Sequence, residues 1–325
     1  MEIIYSILGL CFSAIIAFFI IPKVIERSFE AKTITVDAHK PGKPPIAEPG
    51  GIGPLISFIF ALLLVLLVLT LADEESEVNV VLLAAVLSVV IAGLIGFLDD
   101  IYSIRWRDKI FLGFLPALPL MALRAGTSTV EVPYFGVIDF DIWFSLIIIP
   151  LAVNFAFNSF NMVAGYNGLE MGSAVISLVT ILIAGFIVGS SDVVIFISCM
   201  LGGVLVLLWF NWYPAKILVG DTGTLIAGTA IIVALIIGNL ERLAPGIFFI
   251  YFINFCLLFI YKATGQTAKV GTIDDEGYLS APCPYAIYWI LPYYTKITER
   301  ANVLVLLFLQ LICCLASLIL FVLFV

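Results

Sequence analysis

The sequence predicts an all-α, multi-pass membrane protein of about ten transmembrane helices, forming a single domain over residues 1–325. Two observations predict it. The 325 residues are 63% hydrophobic and only 12% charged. A soluble domain is nearer half apolar and a quarter charged. The apolar residues also gather into runs of the length a helix needs to cross a bilayer, about 20 residues.

Ten such runs occur, at 2–22, 51–72, 79–98, 109–124, 142–161, 170–189, 192–210, 223–239, 244–261 and 301–325. The first lacks a basic start and an Ala-x-Ala exit, so it reads as a retained helix and not a signal peptide. Ten crossings put both termini on one side. One set of loops, 23–50, 99–108, 162–169, 211–222 and 262–300, carries Lys23, Arg27, Lys32, Lys40, Lys43, Arg105, Arg107, Lys216, Lys262, Lys269, Lys296 and Arg300. Lys109 stands at the edge of the fourth run, and the opposite side holds Arg124 and Arg242. Basic residues favour cytoplasmic loops, which makes the first set cytoplasmic and both termini external.

Two shorter segments have their own character. Thr127–Asp141 is β-prone with a central Gly136, which suits a small extracytoplasmic β-hairpin. Pro282–Tyr294 is aromatic and shorter than a span, which suits the membrane interface. The net charge is −8, and the acidic run Asp73, Glu74, Glu75 and Glu77 reads as a solvated loop. No CxxC pair occurs among the six cysteines, so neither a zinc site nor a disulfide framework is indicated. The single histidine, His39, cannot build a His-based metal site, and no nucleic-acid partner is expected.

The residues able to do chemistry sit in the cytoplasmic loops. Asn154, Asn158 and Asn161 recur every three or four residues, which stacks three amides on one helix face. One such amide would read as interhelical glue. Three of them, running into a loop with Gly165, Asn167 and Gly168 and then Glu170, read as a site, because unpaired carboxamides at membrane depth are costly. Asp99 and Asp100 end the third run, and Arg105, Arg107 and Lys109 follow at once. Carboxylates beside cations suit a phosphate with its metal, although interfacial solvation alone would explain the acids equally well. Asp221 lies between Gly220 and Gly223 at the start of the eighth run. It suits either a simple N-cap or a ligand approaching a helix N-terminus through a glycine-lined gap. The loop is not a Walker A motif. Glu48 precedes a Pro-Gly-Gly turn at the mouth of the second run.

These stretches together resemble the polyprenyl-phosphate N-acetylhexosamine-1-phosphate transferase superfamily (glycosyltransferase family 4), most of all its eukaryotic and archaeal branch. The resemblance covers nearly the whole chain. It is carried by PKVIER at 22–27, EPGG at 48–51, GFLDD at 96–100, RWRDK at 105–109, NSFNMVAGYNGLE at 158–170, NWYPAKILVGDT at 211–222 and TERANVLVLLFLQ at 298–310.

The resemblance implies transfer of GlcNAc-1-phosphate from UDP-GlcNAc to dolichyl or polyprenyl phosphate with release of UMP, an initiating step of lipid-linked oligosaccharide assembly for N-glycosylation. It implies Mg²⁺ (Mn²⁺ as the alternative) ligated by Asn161 and Asp221. Glu48, Gly165, Asn167 and Lys269 would bind the UDP-sugar. Lys109 would hold the lipid phosphate, Trp106 would flank the prenyl groove, and Asn154, Asn158 and Met162 would line the lipid path. Asp99 or Asp100 would position or deprotonate the attacking phosphate. The setting implied is an archaeal plasma membrane, or the endoplasmic reticulum in a eukaryote, with the active site facing the cytoplasm and a homodimer left open.

One stretch departs from that pattern. The family's last cytoplasmic loop carries a basic HRxPR motif, whereas this chain reads YKATGQTAKVG at 261–271, with Lys269 in the place of arginine. Lysine is a point charge and not a bidentate phosphate ligand, so Lys269 is a partial substitute and the sugar identity stays open. Two readings of other classes stand beside the transferase. One is a transporter, against which stand the missing internal repeat and the clustering of polar groups at one face. The other is a non-catalytic homologue that binds prenyl phosphate.

Overall fold

Glycine, proline and capping side chains cut the apolar sequence into helices. The structure, a computed structural model, describes residues 2–72, 79–132, 136–264 and 271–324. Helix α1 (Glu2–Ala31) leads through an antiparallel pair, β1 (Ile34–Val36) and β2 (Pro45–Ala47), into α2 (Ile52–Ala72). Helix α3 (Val80–Tyr102) begins at Asn79, whose side chain accepts from the Leu82 amide at 3.0 Å. It stops at Ser103, which takes a left-handed φ of 52° and donates its N–H to the Asp99 carbonyl.

The fourth apolar run is not one continuous helix. It is divided into α4 (Trp106–Leu112), a 3-10 turn at Leu115–Ala117 and α5 (Leu118–Leu123). Gly113, Pro116 and Pro119 account for the breaks, since proline cannot continue the hydrogen-bond ladder. A hairpin follows, with β3 (Thr129–Val132) antiparallel to β4 (Gly136–Asp139), as expected from Thr127–Asp141. A π-helical turn at Phe144–Ile148 leads into α6 (Ile149–Asn161). Then come α7 (Leu169–Val188), α8 (Ser191–Asn211) and α9 (Gly220–Ile237).

The 3-10 turn at Glu241–Leu243 and α10 (Ala244–Ile247) together meet α11 (Phe249–Ala263) at a bend of 54°, with the break at Phe248. A small sheet of β5 (Thr272–Ile273), β6 (Tyr278–Ser280) and β7 (Ile297–Thr298) encloses the short α12 (Ile287–Tyr294), and α13 (Glu299–Phe324) follows. Among the described residues, eight helices are long and apolar enough to cross a membrane, or nine when the bent pair is taken as one span. The tenth expected span is the broken run at 109–124. The acidic run from Asp73 to Glu77 lies outside the described residues.

Helix α9 is the axis of the bundle. Its span is 83% buried, against 22–28% for α1, α2 and α13, whose apolar faces are left for lipid. It packs against α3, α6, α7 and α8. Small residues allow the closest approaches, as they do in membrane helix packing generally. A Cβ on Gly96 would stand 2.6 Å from the Thr222 Cα, and one on Gly228 would stand 2.4 Å from the Ala156 carbonyl oxygen. Buried polar pairs add register: Ser6 with Ser198 at 2.7 Å, and Gln310 donating to Ser177 and to the Ile247 carbonyl.

Gly96→Ala is expected to push α3 off α9 and lower the thermal midpoint of the detergent-solubilised chain. The loss should correspond to overpacking of about 1–3 kcal/mol. Leu94→Ala, on the exposed side of the same helix, should shift the midpoint less. Thermal unfolding of the two variants followed by circular dichroism checks the order.

Candidate active site

A backbone ladder between two distant loops sets the frame. The Leu218 N–H donates to the Ala47 carbonyl at 3.0 Å, and the Gly50 and Gly51 N–H groups donate to the Leu218 and Val219 carbonyls at 2.8 and 2.9 Å. The ladder lays Glu48 alongside the stretch that runs into Gly220 and Asp221.

Helix α9 is then closed by a carboxylate from another helix. Asp100 Oδ1 accepts from the Asp221 N–H at 2.6 Å. Its Oδ2 accepts from the Thr222 N–H at 2.9 Å and from the Thr222 hydroxyl at 2.5 Å. Gly220, at φ 71°, leaves room for this approach, because a Cβ there would lie 2.9 Å from Asp100 Oδ1. The N-cap that Asp221 might have supplied is thus supplied by Asp100, and the Asp221 side chain is released for other partners.

Those partners are Lys109 and Asn161. Lys109 Nζ lies 3.2 Å from Asp221 Oδ1 and forms a close ion pair with Asp99. Asp99 also accepts from the Ile104 N–H at 2.7 Å, which pins the turn leading to α4. The Asn161 amide donates to the same Asp221 oxygen and to the Thr224 hydroxyl at 2.8 Å. Neighbouring acids therefore divide the work: Asp100 shapes α9, and Asp99 holds the lysine.

The asparagine stripe divides as well. Asn154 donates to the Ile110 carbonyl at 2.7 Å, and Asn158 donates to the Asn154 side chain at 2.9 Å. Gly113 packs on both, since a Cβ there would meet Asn158 Nδ2 at 2.9 Å and Asn154 Cγ at 3.3 Å. Asn154 is spent on anchoring α4 to α6 and Asn158 on bonding Asn154 within α6, and Asn161 is the member of the stripe that reaches the acid cluster. The Met162 carbonyl accepts from Asn254, a fully buried residue whose own oxygen accepts from the Ile287 N–H.

Asp221, Asn161 and Glu48 form one side of a cavity of about 340 Å³, which Gly165, Tyr166, Asn167, His39, Tyr288 and Trp289 also line. Gly165, at φ 152°, donates its N–H to Glu170 at 2.8 Å. Asn167 is buried and already engaged. Its N–H donates to Glu299 at 2.8 Å and its side chain to Asp37 at 3.0 Å. Lys40 bridges those two acids, 3.4 Å from Asp37 and in a close ion pair with Glu299. Asn211 ties in a further loop, accepting from the Gly168 N–H at 2.9 Å and donating to the Ile217 carbonyl at 2.9 Å.

Sequence reasoning missed Asp37, Lys40, Asn211, Asn254 and Glu299 as site-forming residues. Asn211 and Glu299 lay within stretches already singled out, but nothing in their spacing tied them to Gly168 or to Lys40. Trp106 is half-exposed beneath Lys262, whose Nζ stands 3.7 Å from the ring centroid. Lys269 lies outside the described residues. On the other side of the Asn154–Ile110 bond, a separate apolar groove of about 400 Å³ opens between Phe114, Leu118 and Met121 and Leu146, Ile147 and Leu151.

Charge is unbalanced here. Glu48, Asp99, Asp100 and Asp221 gather around one ammonium, Lys109. Burial, with Asp100 and Asp221 nearby, pushes the Glu48 carboxyl up to about 7. Burial disfavours the charge on Lys109, but Asp221 and Asp99 outweigh it and hold its pKa above the ordinary value. Among the described residues no three His, Cys, Asp or Glu side chains converge as a metal cage. The donor set suits an ion that keeps waters and takes phosphate oxygens, as Mg²⁺ does. Both contacts to Asp221 fall on Oδ1. A half turn of the Asn161 amide would present oxygen in place of nitrogen at the same point.

Residues 81–239 match the family described as glycosyl transferase family 4. The UDP-N-acetylglucosamine–dolichyl-phosphate N-acetylglucosaminephosphotransferase of Dictyostelium discoideum is 29% identical over 77% of this chain and 69% of its own length. Proteins provisionally named for the same activity are similar in two archaea. The one from Saccharolobus solfataricus is 32% identical over 86% of this chain and 85% of its own. The one from Sulfolobus acidocaldarius is 31% identical over 84% of each.

Two outcomes follow from the geometry. Asp100→Ala should lose the closure of α9 and destabilise the chain by about 1 kcal/mol or more. Asp100→Asn, which keeps one acceptor oxygen but turns an NH₂ toward the N–H that the other oxygen accepted, should retain only part of it. Thermal midpoints of the two variants check this.

His39 gives a pH signature. Its pKa is lowered from 6.5, by burial first and also by Lys40 and Lys43, against the opposing pull of Asp37 and of its bond to the Gly165 backbone. The ring packs on Tyr166. The folded state stays neutral where the unfolded chain takes a proton. The contribution is therefore complete above pH 6.5 and is lost as pH falls from there to the folded pKa. His39→Phe should remove that component, seen as a flatter thermal midpoint between pH 7.5 and 5.5 than in wild type.

Proposed function

Because the chain belongs to glycosyl transferase family 4, we propose that it transfers GlcNAc-1-phosphate from UDP-GlcNAc to dolichyl or polyprenyl phosphate and releases UMP, initiating lipid-linked oligosaccharide assembly. One observation carries the reading. The Lys109–Asp99–Asp221–Asn161 cluster adjoins a polar cavity sized for much of a nucleotide sugar, and an apolar groove opens beyond the helix that bears Lys109.

Both reactants are anionic, so neutralisation and alignment carry most of the catalysis. The cavity takes the UDP-sugar, with its diphosphate toward Asp221. The prenyl chain lies along the groove of Phe114, Leu118, Met121, Leu146 and Leu151, and its phosphate meets Lys109. Asp99 aims that ammonium through their ion pair. A lipid phosphate oxygen bonds to the β-phosphorus, the bond to the bridging oxygen breaks, and that oxygen leaves on UMP. The acceptor phosphate titrates near neutrality, so Asp99 need only orient Lys109 and no strong base is required.

Asp221 and Asn161 would hold Mg²⁺, with Mn²⁺ as the alternative. Bound there, the ion supplies positive charge to the diphosphate and to the departing UMP. Asp100 keeps Asp221 in place by closing α9. The cluster faces the cytoplasm, since the loops that build it carry most of the basic residues.

The full chain in detergent, given dolichyl phosphate, UDP-GlcNAc and MgCl₂, is expected to release UMP. EDTA should abolish the release and added Mg²⁺ should restore it. Asp221→Ala should lower the rate on the order of 10²-fold or more. No UMP from any UDP-N-acetylhexosamine, or equal background rates for wild type and variant, would overturn the reading in favour of a non-catalytic binder.

A further inference from the structure

Lys262 has no task in the reaction above, yet it is held in place. It lies in the last turn of α11, and Trp106 is the first residue of α4. The Lys262 Nζ stands 3.7 Å from the Trp106 ring centroid, and Arg107 Cζ stands 5.5 Å from the same ring. Two cations thus share one indole. Neither forms an ion pair among the described residues. Lys262 is exposed, and Trp106 is 55% exposed.

A simpler account serves each residue alone. A lysine in a last turn complements the helix dipole, and a tryptophan at a membrane interface anchors its helix. Neither role requires the two to meet. Their contact joins helices on neighbouring sides of α6. Asn154 binds the Ile110 carbonyl of α4, whereas Phe155 meets Phe252 and Phe255 of α11. Adjacent helix residues point about 100° apart. The contact ties α4 to α11 around α6.

Position on α4 indicates what the tie is for. Trp106 and Lys109 are three residues apart, so they share one face of the helix. In the transfer proposed above, the acceptor phosphate comes to Lys109. Asp99 and Asp221 already oppose the charge of that lysine. A phosphate monoester carries about −1.5 to −2 near neutral pH. One ammonium facing two carboxylates cannot offset it. Lys262 brings a positive charge to the adjoining turn with no acid against it. The ring holds the ammonium by its charge and leaves the N–H groups on the far side free to donate.

We propose that Lys262, held over Trp106, is a second binding residue for the acceptor phosphate, its ammonium donating to the phosphate that Lys109 also holds. This rests on the transferase reading. A phospholipid headgroup offers related phosphate chemistry. The prenyl phosphate is the occupant assigned, because the pair sits on the face of α4 that carries Lys109 and a monoester brings the greater charge.

The test is equilibrium binding of geranylgeranyl phosphate and geranylgeraniol to the full chain in detergent, without UDP-sugar. Lys262→Gln should weaken binding of the phosphate about three- to fivefold, the worth of one exposed charge pair. Binding of the alcohol should not change, and Lys262→Arg should recover most of the loss. The loss should shrink in a Trp106→Leu background, because the ring no longer places the ammonium. Equal weakening of phosphate and alcohol, no change in either, or an undiminished loss in the Trp106→Leu background overturns the assignment. Displacement of the prenyl phosphate by phosphatidylglycerol at similar concentration overturns it in favour of a general headgroup site.

Turnover gives a separate readout. Lys262→Gln should raise KM for dolichyl phosphate by the same factor and leave KM for UDP-GlcNAc unmoved. A rise in both overturns the proposal. Absence of UMP release with the binding difference intact counts against the transferase reading alone.

Discussion

A carboxylate on the end of one helix closes the open end of another, and the site is built on that contact. Asp100 takes the first free amides of α9 and the hydroxyl of Thr222. A helix N-terminus needs such acceptors, and supplying them from α3 fixes how the two helices meet. Gly96 and Gly220 make the approach sterically feasible. The consequence is chemical. Asp221, freed from capping its own helix, turns to Lys109 and Asn161. Had Asp221 capped α9, its carboxylate would have been consumed locally.

The cluster gathers more negative charge than its protein partners can offset. One lysine serves Asp99 and Asp221 together. Burial first, and then the nearby Asp100 and Asp221, make Glu48 bind its proton more tightly. A cation, a second ammonium or a change of protonation would each relieve such a cluster. The proposed reaction would supply the first of these, a cation held at Asp221 and Asn161. The reaction proposed for this family member brings two further anions to the same place, which is why positive charge and rigid placement matter here more than a strong base.

The loops above the cluster are held by buried polar bonds as well as by apolar packing, in which Val163, Tyr166 and Ile217 take part. Lys40 joins Asp37 to Glu299, Asn167 bonds to both acids, and Asn211 and Asn254 bind backbone groups of neighbouring loops. Six segments, at 37–40, 162–168, 211–217, 254, 287 and 299, are joined this way. Short loops offer limited apolar surface, so buried ionic and amide bonds add to their packing and fix how the segments meet.

The sequence by itself determined the environment and the parts. Long apolar runs predicted the spans, since burial in lipid depends on composition and length. The motifs named Asn161, Asp221, Asp99, Asp100, Lys109 and Glu48 before any of them could be placed. The hairpin at Thr127–Asp141 was legible from its β-prone residues and Gly136. Tertiary structure decided what local patterns cannot encode. The run at 109–124 became three short pieces because Gly113, Pro116 and Pro119 outweigh its hydropathy. Asp99 and Asp100 are equivalent in sequence but differ by the direction in which each leaves α3, one toward a lysine and one toward another helix's amides. Asn154 and Asn158 share a face with Asn161, yet α4 claims Asn154 and Asn154 claims Asn158. Which amide is spent on packing and which is left for a ligand depends on the neighbour across the gap, and that neighbour is a property of the fold.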